Sequence, residues 1–111
     1  MKKTFIVFTL FILLLCGCGG KPSTISDEAY TTAEYAIKVS DMYLDGISTK
    51  EEASEKIYAL NTDGFYPDDN HKDNYKIVAS IIGLTTAFLT DDMGEIKSNR
   101  DELADVINYK D

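Results

Sequence analysis

Between Ile77 and Thr90 the chain runs for fourteen residues without a charge, IVASIIGLTTAFLT. A helix needs roughly 20 apolar residues to cross the hydrocarbon core of a bilayer, so this run is too short to span one comfortably. It is also long for a strand, although its Ile, Val and Thr content would suit one. Length decides for a helix buried on most of its sides, the central element of a bundle. Asp73 or Asn74 is placed to cap it. Gly83, at a cost of about 1 kcal/mol against Ala in a helix interior, marks a close helix crossing.

The flanking segments supply helices to pack around it. Ser26 is a good N-cap, and Asp27 and Glu28 put negative charge at the positive end of a helix dipole. Tyr30, Ala33, Ile37 and Leu44 then recur at helical spacing, with Ala29, Ala36 and Tyr43 beside them. Asp45-Gly46 ends this helix, with Gly46 in the position that favours a left-handed backbone. Ser48 and Glu51 form a capping box for a second helix, which buries Ala53, Ile57 and Leu60 and stops at Asn61-Thr62-Asp63-Gly64. Asp92, with Glu95 three residues on, opens a last helix in which Met93, Ile96, Leu103 and Ile107 share a stripe interrupted by Arg100. The expected fold is all-α: a small bundle of about four helices forming one domain over residues 26–111.

The conspicuous loop is Phe65 to Asn74, FYPDDNHKDN. Carboxylates and amides are suitable hard-oxygen ligands for calcium, but a calcium loop starting at Asp68 would place Lys72 fifth and Asp73 sixth, where an oxygen ligand and a Gly are needed. The segment therefore reads as a polar turn that leads into the next helix. His71 stands alone, without the second His or Cys that a zinc site requires, and reads as a solvated loop residue. Asp101 and Asp105 lie one turn apart on a charged helix face, where carboxylates are ordinary, so they are not read as an acid–base couple. No residue is assigned to catalysis, to a cofactor or to a metal.

The first twenty residues have a different character. Lys2 and Lys3 precede an apolar run from Phe5 to Leu15, broken only by Thr9, and a small residue, Gly17, follows. Those are the three parts of an export signal. Its end, Leu15-Cys16-Gly17-Cys18, resembles the lipobox of bacterial lipoproteins: an aliphatic residue, a tolerant position, a small residue, then the Cys to be modified. The resemblance implies that residues 1–17 are a signal peptide and that Cys18 receives a diacylglyceryl group and becomes the mature N-terminus. Two acyl chains make a durable anchor where one is marginal. Residues 18–25 then form the lipidated Cys and a short flexible tether.

Cleavage there leaves Cys18 as the sole cysteine, so no disulfide can form and the domain is held by core packing alone. Once Lys2 and Lys3 are set aside, nineteen acidic residues face nine basic ones, a net charge of −10. Such a surface lacks the electrostatic footprint of a nucleic-acid binder and repels an anionic lipid face, so attachment falls to the lipid. A cationic peptide or an envelope protein is the partner it suits. The expectation is a lipid-anchored protein on the outer side of the cell membrane, a non-enzymatic binding protein of the kind that includes immunity and exclusion lipoproteins. The alternatives are an envelope hydrolase or accessory enzyme without an identifiable motif, and a purely structural envelope component.

Overall fold

The computed structural model describes residues 21–63, 65 and 70–110. The apolar run, Leu15 to Gly17 and Cys18 lie outside the described residues, as do Asp68 and Asp69 of the loop. The described chain forms four helices, α1 Asp27–Leu44, α2 Lys50–Tyr58, α3 Asn74–Leu89 and α4 Met93–Val106, with no strand among the described residues. Each helix packs on its neighbour in chain order, α4 returns to α1, and α1 also touches α3 across the middle. It is a four-helix bundle in which α2 and α4 make no contact.

One core joins all four helices. Ala29, Ala33, Ala36 and Ile37 of α1, Ile57 of α2, Ile77, Leu84 and Phe88 of α3, and Ile96 and Leu103 of α4 are essentially sealed from solvent. The small residues of α1 let its neighbours approach closely. Tyr43 packs its ring against Phe88, centroids 5.4 Å apart. Ser40, which interrupts the apolar stripe of α1, is buried because its hydroxyl donates to the Ala36 carbonyl at 2.9 Å.

Three helices end in the same way. After α1, Gly46 adopts φ +78°, its N–H donates to the Tyr43 carbonyl, and the Ile47 N–H donates to Met42. Asp91 after α3 (φ +55°) and Asn108 after α4 (φ +58°) repeat that pattern of two backward hydrogen bonds. These are Schellman terminations, which need a left-handed residue just past the helix. Asp and Asn fill that position here because their short polar side chains tolerate it better than other residues with a Cβ.

Three expectations about the helices are corrected. The cap of α2 is Thr49, not Ser48: the Thr49 hydroxyl accepts from the Glu52 N–H at 3.1 Å, and the Glu52 carboxylate accepts from the Thr49 N–H at 2.9 Å. Ser48 is still engaged in the end of α1, its own N–H donating to the Met42 carbonyl. Helix α2 also stops at Tyr58, before Asn61, and Leu60 leaves the helix to pack against the core. Neither Asp73 nor Asn74 caps α3 with its side chain. Both reach instead to the chain before α1. The Thr24 hydroxyl donates to Asp73 at 2.6 Å, and Asn74, buried, accepts from the Ser26 N–H at 3.1 Å and donates to the Ser26 hydroxyl.

That pairing changes the extent of the domain. Ile25, which the sequence assigns to the tether, is fully buried, and the Lys21 ammonium donates to its carbonyl at 2.7 Å. Residues 21–25, which the sequence assigns to the tether, therefore pack on the folded body.

Candidate functional site

Helix α3 is not buried on most of its sides. Tyr75, Ile82 and Leu89 are 54%, 59% and 65% exposed, at a spacing of seven residues along one face. Val78 and Thr85, half-buried, fill the intervening steps. The cause is a mismatch of lengths. Helix α2 has nine residues and α3 sixteen, about 13 Å against about 24 Å at 1.5 Å per residue. Helix α2 covers only part of that flank, and the remainder is bordered by the segment that follows it. Two adjoining hollows result, of about 280 and about 340 Å³. Tyr58, Leu60 and Ile57 wall the first, Phe65 and Val78 the second, and Thr62 and Ile82 belong to both.

The polar groups of this groove stand at its edges. Asp63 lines it beside Phe65. On the other flank of α3, Tyr75 and Ala79 also border a depression that contains Glu102 and Asp105 of α4. Lys76 lies there too, held by Asp73 at 3.5 Å. The Thr85 hydroxyl donates to the Ile81 carbonyl at 2.9 Å and so is satisfied within α3. An apolar floor with charges confined to its rim suits association through apolar side chains.

The other residues singled out from sequence sit elsewhere. Asp101 and Asp105 are exposed, and the hollow they border with Gly94, Lys97, Ser98 and Glu102 is lined by α4 alone; it is the space between side chains of one helix. Asp101 accepts from Lys97 and from Arg100, and that pairing, Lys97 first, holds its carboxyl below the usual carboxylate range. The Thr24 hydroxyl, assisted by Lys76, does the same for Asp73. Burial, reinforced by Glu34, pushes the Tyr30 hydroxyl up. Each shift moves the group's titration further from neutral pH. His71 is half-buried, and its carbonyl accepts from the Asn74 N–H. Among the described residues no group of three or more His, Cys, Asp or Glu is placed to hold a metal ion, and no helix is long and apolar enough to cross a membrane.

Arg100 is the functional-looking side chain whose partners the sequence concealed. It is buried, and its guanidinium forms a two-pronged pair with Asp41 of α1 at 2.7 and 3.0 Å. Tyr109 lies over its charge, 5.8 Å from ring centre. The arrangement fastens α4 to α1. The exposed face of α3 was the feature that sequence periodicity missed: an all-apolar helix hides which side lacks a neighbour, although the shortness of α2 was a usable sign. Comparison with protein families, curated proteins and solved structures finds no match to this chain.

Proposed function

We propose that this chain is a lipid-anchored binding protein of the bacterial cell envelope, held outside the cytoplasm by Cys18 and acting by capture of a partner, not by catalysis. The observation that carries the reading is the exposed Tyr75–Ile82–Leu89 face on a domain of net charge −10. Surfaces of this kind cost solubility and are kept where something covers them. The lipobox of residues 15–18 supplies the address, and the acidic body supplies a preference for cationic partners. Immunity and exclusion lipoproteins, which shield a cell from a bacteriocin or an incoming genetic element, are the functional class that combines this size, location and mode of action.

Two measurements test it. Cells expressing the full chain are fed labelled palmitate: label enters the wild-type protein and is absent from Cys18→Ala. Chemical crosslinking in the same cells yields a discrete adduct that disappears with Ile82→Asp plus Leu89→Asp. Label in Cys18→Ala refutes the anchor site, and an adduct that survives the double change refutes the binding face.

A further inference from the structure

We propose that the α3 groove is the docking site of a cationic amphipathic helix, an inference that rests on the binding-protein reading and specifies its partner. The face is built for a helix. Its outward positions, Tyr75, Val78, Ile82, Thr85 and Leu89, alternate in steps of three and four residues, the repeat that lets one helix seat its apolar seam on another. From Tyr75 to Leu89 the strip covers about 21 Å, the length of about four turns of a partner. The hollows beside Ile82, walled by Tyr58, Leu60 and Phe65, are concave enough to take side chains instead of offering a flat surface.

Charge selects among occupants. Asp63 lines the groove itself; beyond its α4 edge stand Glu102, Asp105 and Lys76, the last held by Asp73, and beyond its α2 edge Glu55 and Lys56, so carboxylates outnumber cations among the described residues around it. A helix with Lys or Arg beside its apolar seam meets those carboxylates on both flanks. A second copy of this chain, pairing α3 with α3, brings Asp63, Glu102 and Asp105 of two strongly acidic molecules together, which is repulsive. Position favours the same class. The N-terminal end of α3 is tied to Thr24 and Ser26, so an anchor at Cys18 keeps the Tyr75 end of the groove near the bilayer. Cationic amphipathic helices gather there, lying in the interface plane.

The test uses the full chain in phosphatidylcholine vesicles, carrying a photo-reactive phenylalanine analogue at position 82 or, as a control, at the exposed position 51 of α2. The probe is a biotinylated Leu/Lys helix of about four turns; its counterpart has Glu in place of Lys. The expected result is one peptide adduct per chain from position 82, at least about tenfold stronger than from position 51. It weakens by about tenfold when Glu102→Lys and Asp105→Lys reverse the rim. Those two residues are exposed, and circular dichroism verifies that the variant keeps its helices. Equal labelling from positions 51 and 82, or equal labelling by the Leu/Glu peptide, overturns the proposal. So does a chain–chain adduct from position 82 that the Leu/Lys peptide fails to displace, since a second copy is then the occupant. Failure of palmitate labelling at Cys18 refutes the anchor alone and leaves these outcomes readable.

Discussion

Arg100 shows how a charged residue can hold a core position. Its methylenes fill a step in the apolar stripe of α4 while its guanidinium finds two oxygens of Asp41, a carboxylate in Asp101 and the face of Tyr109. Removing the guanidinium strands the Asp41 carboxylate at the α1–α4 contact. Full burial makes such a loss worth 3–5 kcal/mol; with the Asp41 side chain about one-third exposed, Arg100→Ala should cost about 2–3 kcal/mol in urea unfolding. Arg100→Met, which keeps the stem, should cost less, and equal losses would mean that the stem's packing contributes nothing and that the guanidinium carries the whole effect. The interruption of the stripe was visible in the sequence. Its partner was not, because Asp41 lies 59 residues away and nothing local points to it. Gly83 was more legible, and the close crossing it signals is with α4: a Cβ at this position would stand 2.8 Å from the Asn99 side-chain carbon. Asn99 is itself tied to the Glu95 carbonyl at 2.8 Å. Gly83→Ala alone should therefore gain little, whereas in an Asn99→Ala background the same change should stabilise by about 1 kcal/mol. Additive effects in that double-mutant cycle would contradict the contact.

At the scale of elements, the helices were readable from their stripes and caps, and their ends were not. Ser48-x-x-Glu51 and Thr49-x-x-Glu52 fit the same capping motif, and the sequence offers no ground for choosing between them. The choice is made by the termination of α1, whose backward hydrogen bonds absorb the Ser48 N–H and hand the cap to the next residue. Thr49→Ala should accordingly cost about 1 kcal/mol. Ser48→Ala should be neutral or stabilising, because the Ser48 hydroxyl is buried with no partner. Reversal of that order in thermal melts would restore the earlier register. Only one of the three Schellman ends carries the residue that makes such an end obvious, Gly46. Asn108→Gly relieves a left-handed Asn whose side chain forms no hydrogen bond among the described residues, so it should raise stability by about 0.5–1 kcal/mol, and Gly46→Ala should lower it by a similar amount. The same limit on reading ends hid the groove. Periodicity finds the apolar residues of α3, but which of them stay exposed depends on where α2 stops, and α2 stops at Tyr58 because Leu60 turns to the core.

The whole molecule is closed by the strap before α1, and this is where pH acts on it. Asp73 accepts from Thr24 and faces Lys76, and its carboxyl is held below the usual range chiefly by the Thr24 hydroxyl. A carboxylate whose folded pKa is depressed contributes stability above its unfolded pKa, about 4, and that contribution disappears as pH falls through the folded value. Asp101 behaves alike through Lys97 and Arg100, so the melting temperature should fall from about pH 5 downward. Thr24→Val removes the leading cause at Asp73 and leaves Asp101 untouched; its acid decline should be shallower than wild type, and carboxyl NMR should show Asp73 alone moving back toward the ordinary range. Parallel declines in the two proteins would separate Asp73 from the acid sensitivity. The strap also sets the reach of the anchor. With residues 21–25 docked, a three-residue link can reach at most about 10 Å; with the strap released, an eight-residue link can reach at most about 28 Å. Acid should thus let the body move away from the vesicle before the bundle melts. Energy transfer from a dye on an exposed α4 residue to a membrane acceptor should fall near the Asp73 titration, whereas in Thr24→Val, which lacks the titrating bond, it should start lower at neutral pH and change less with acid.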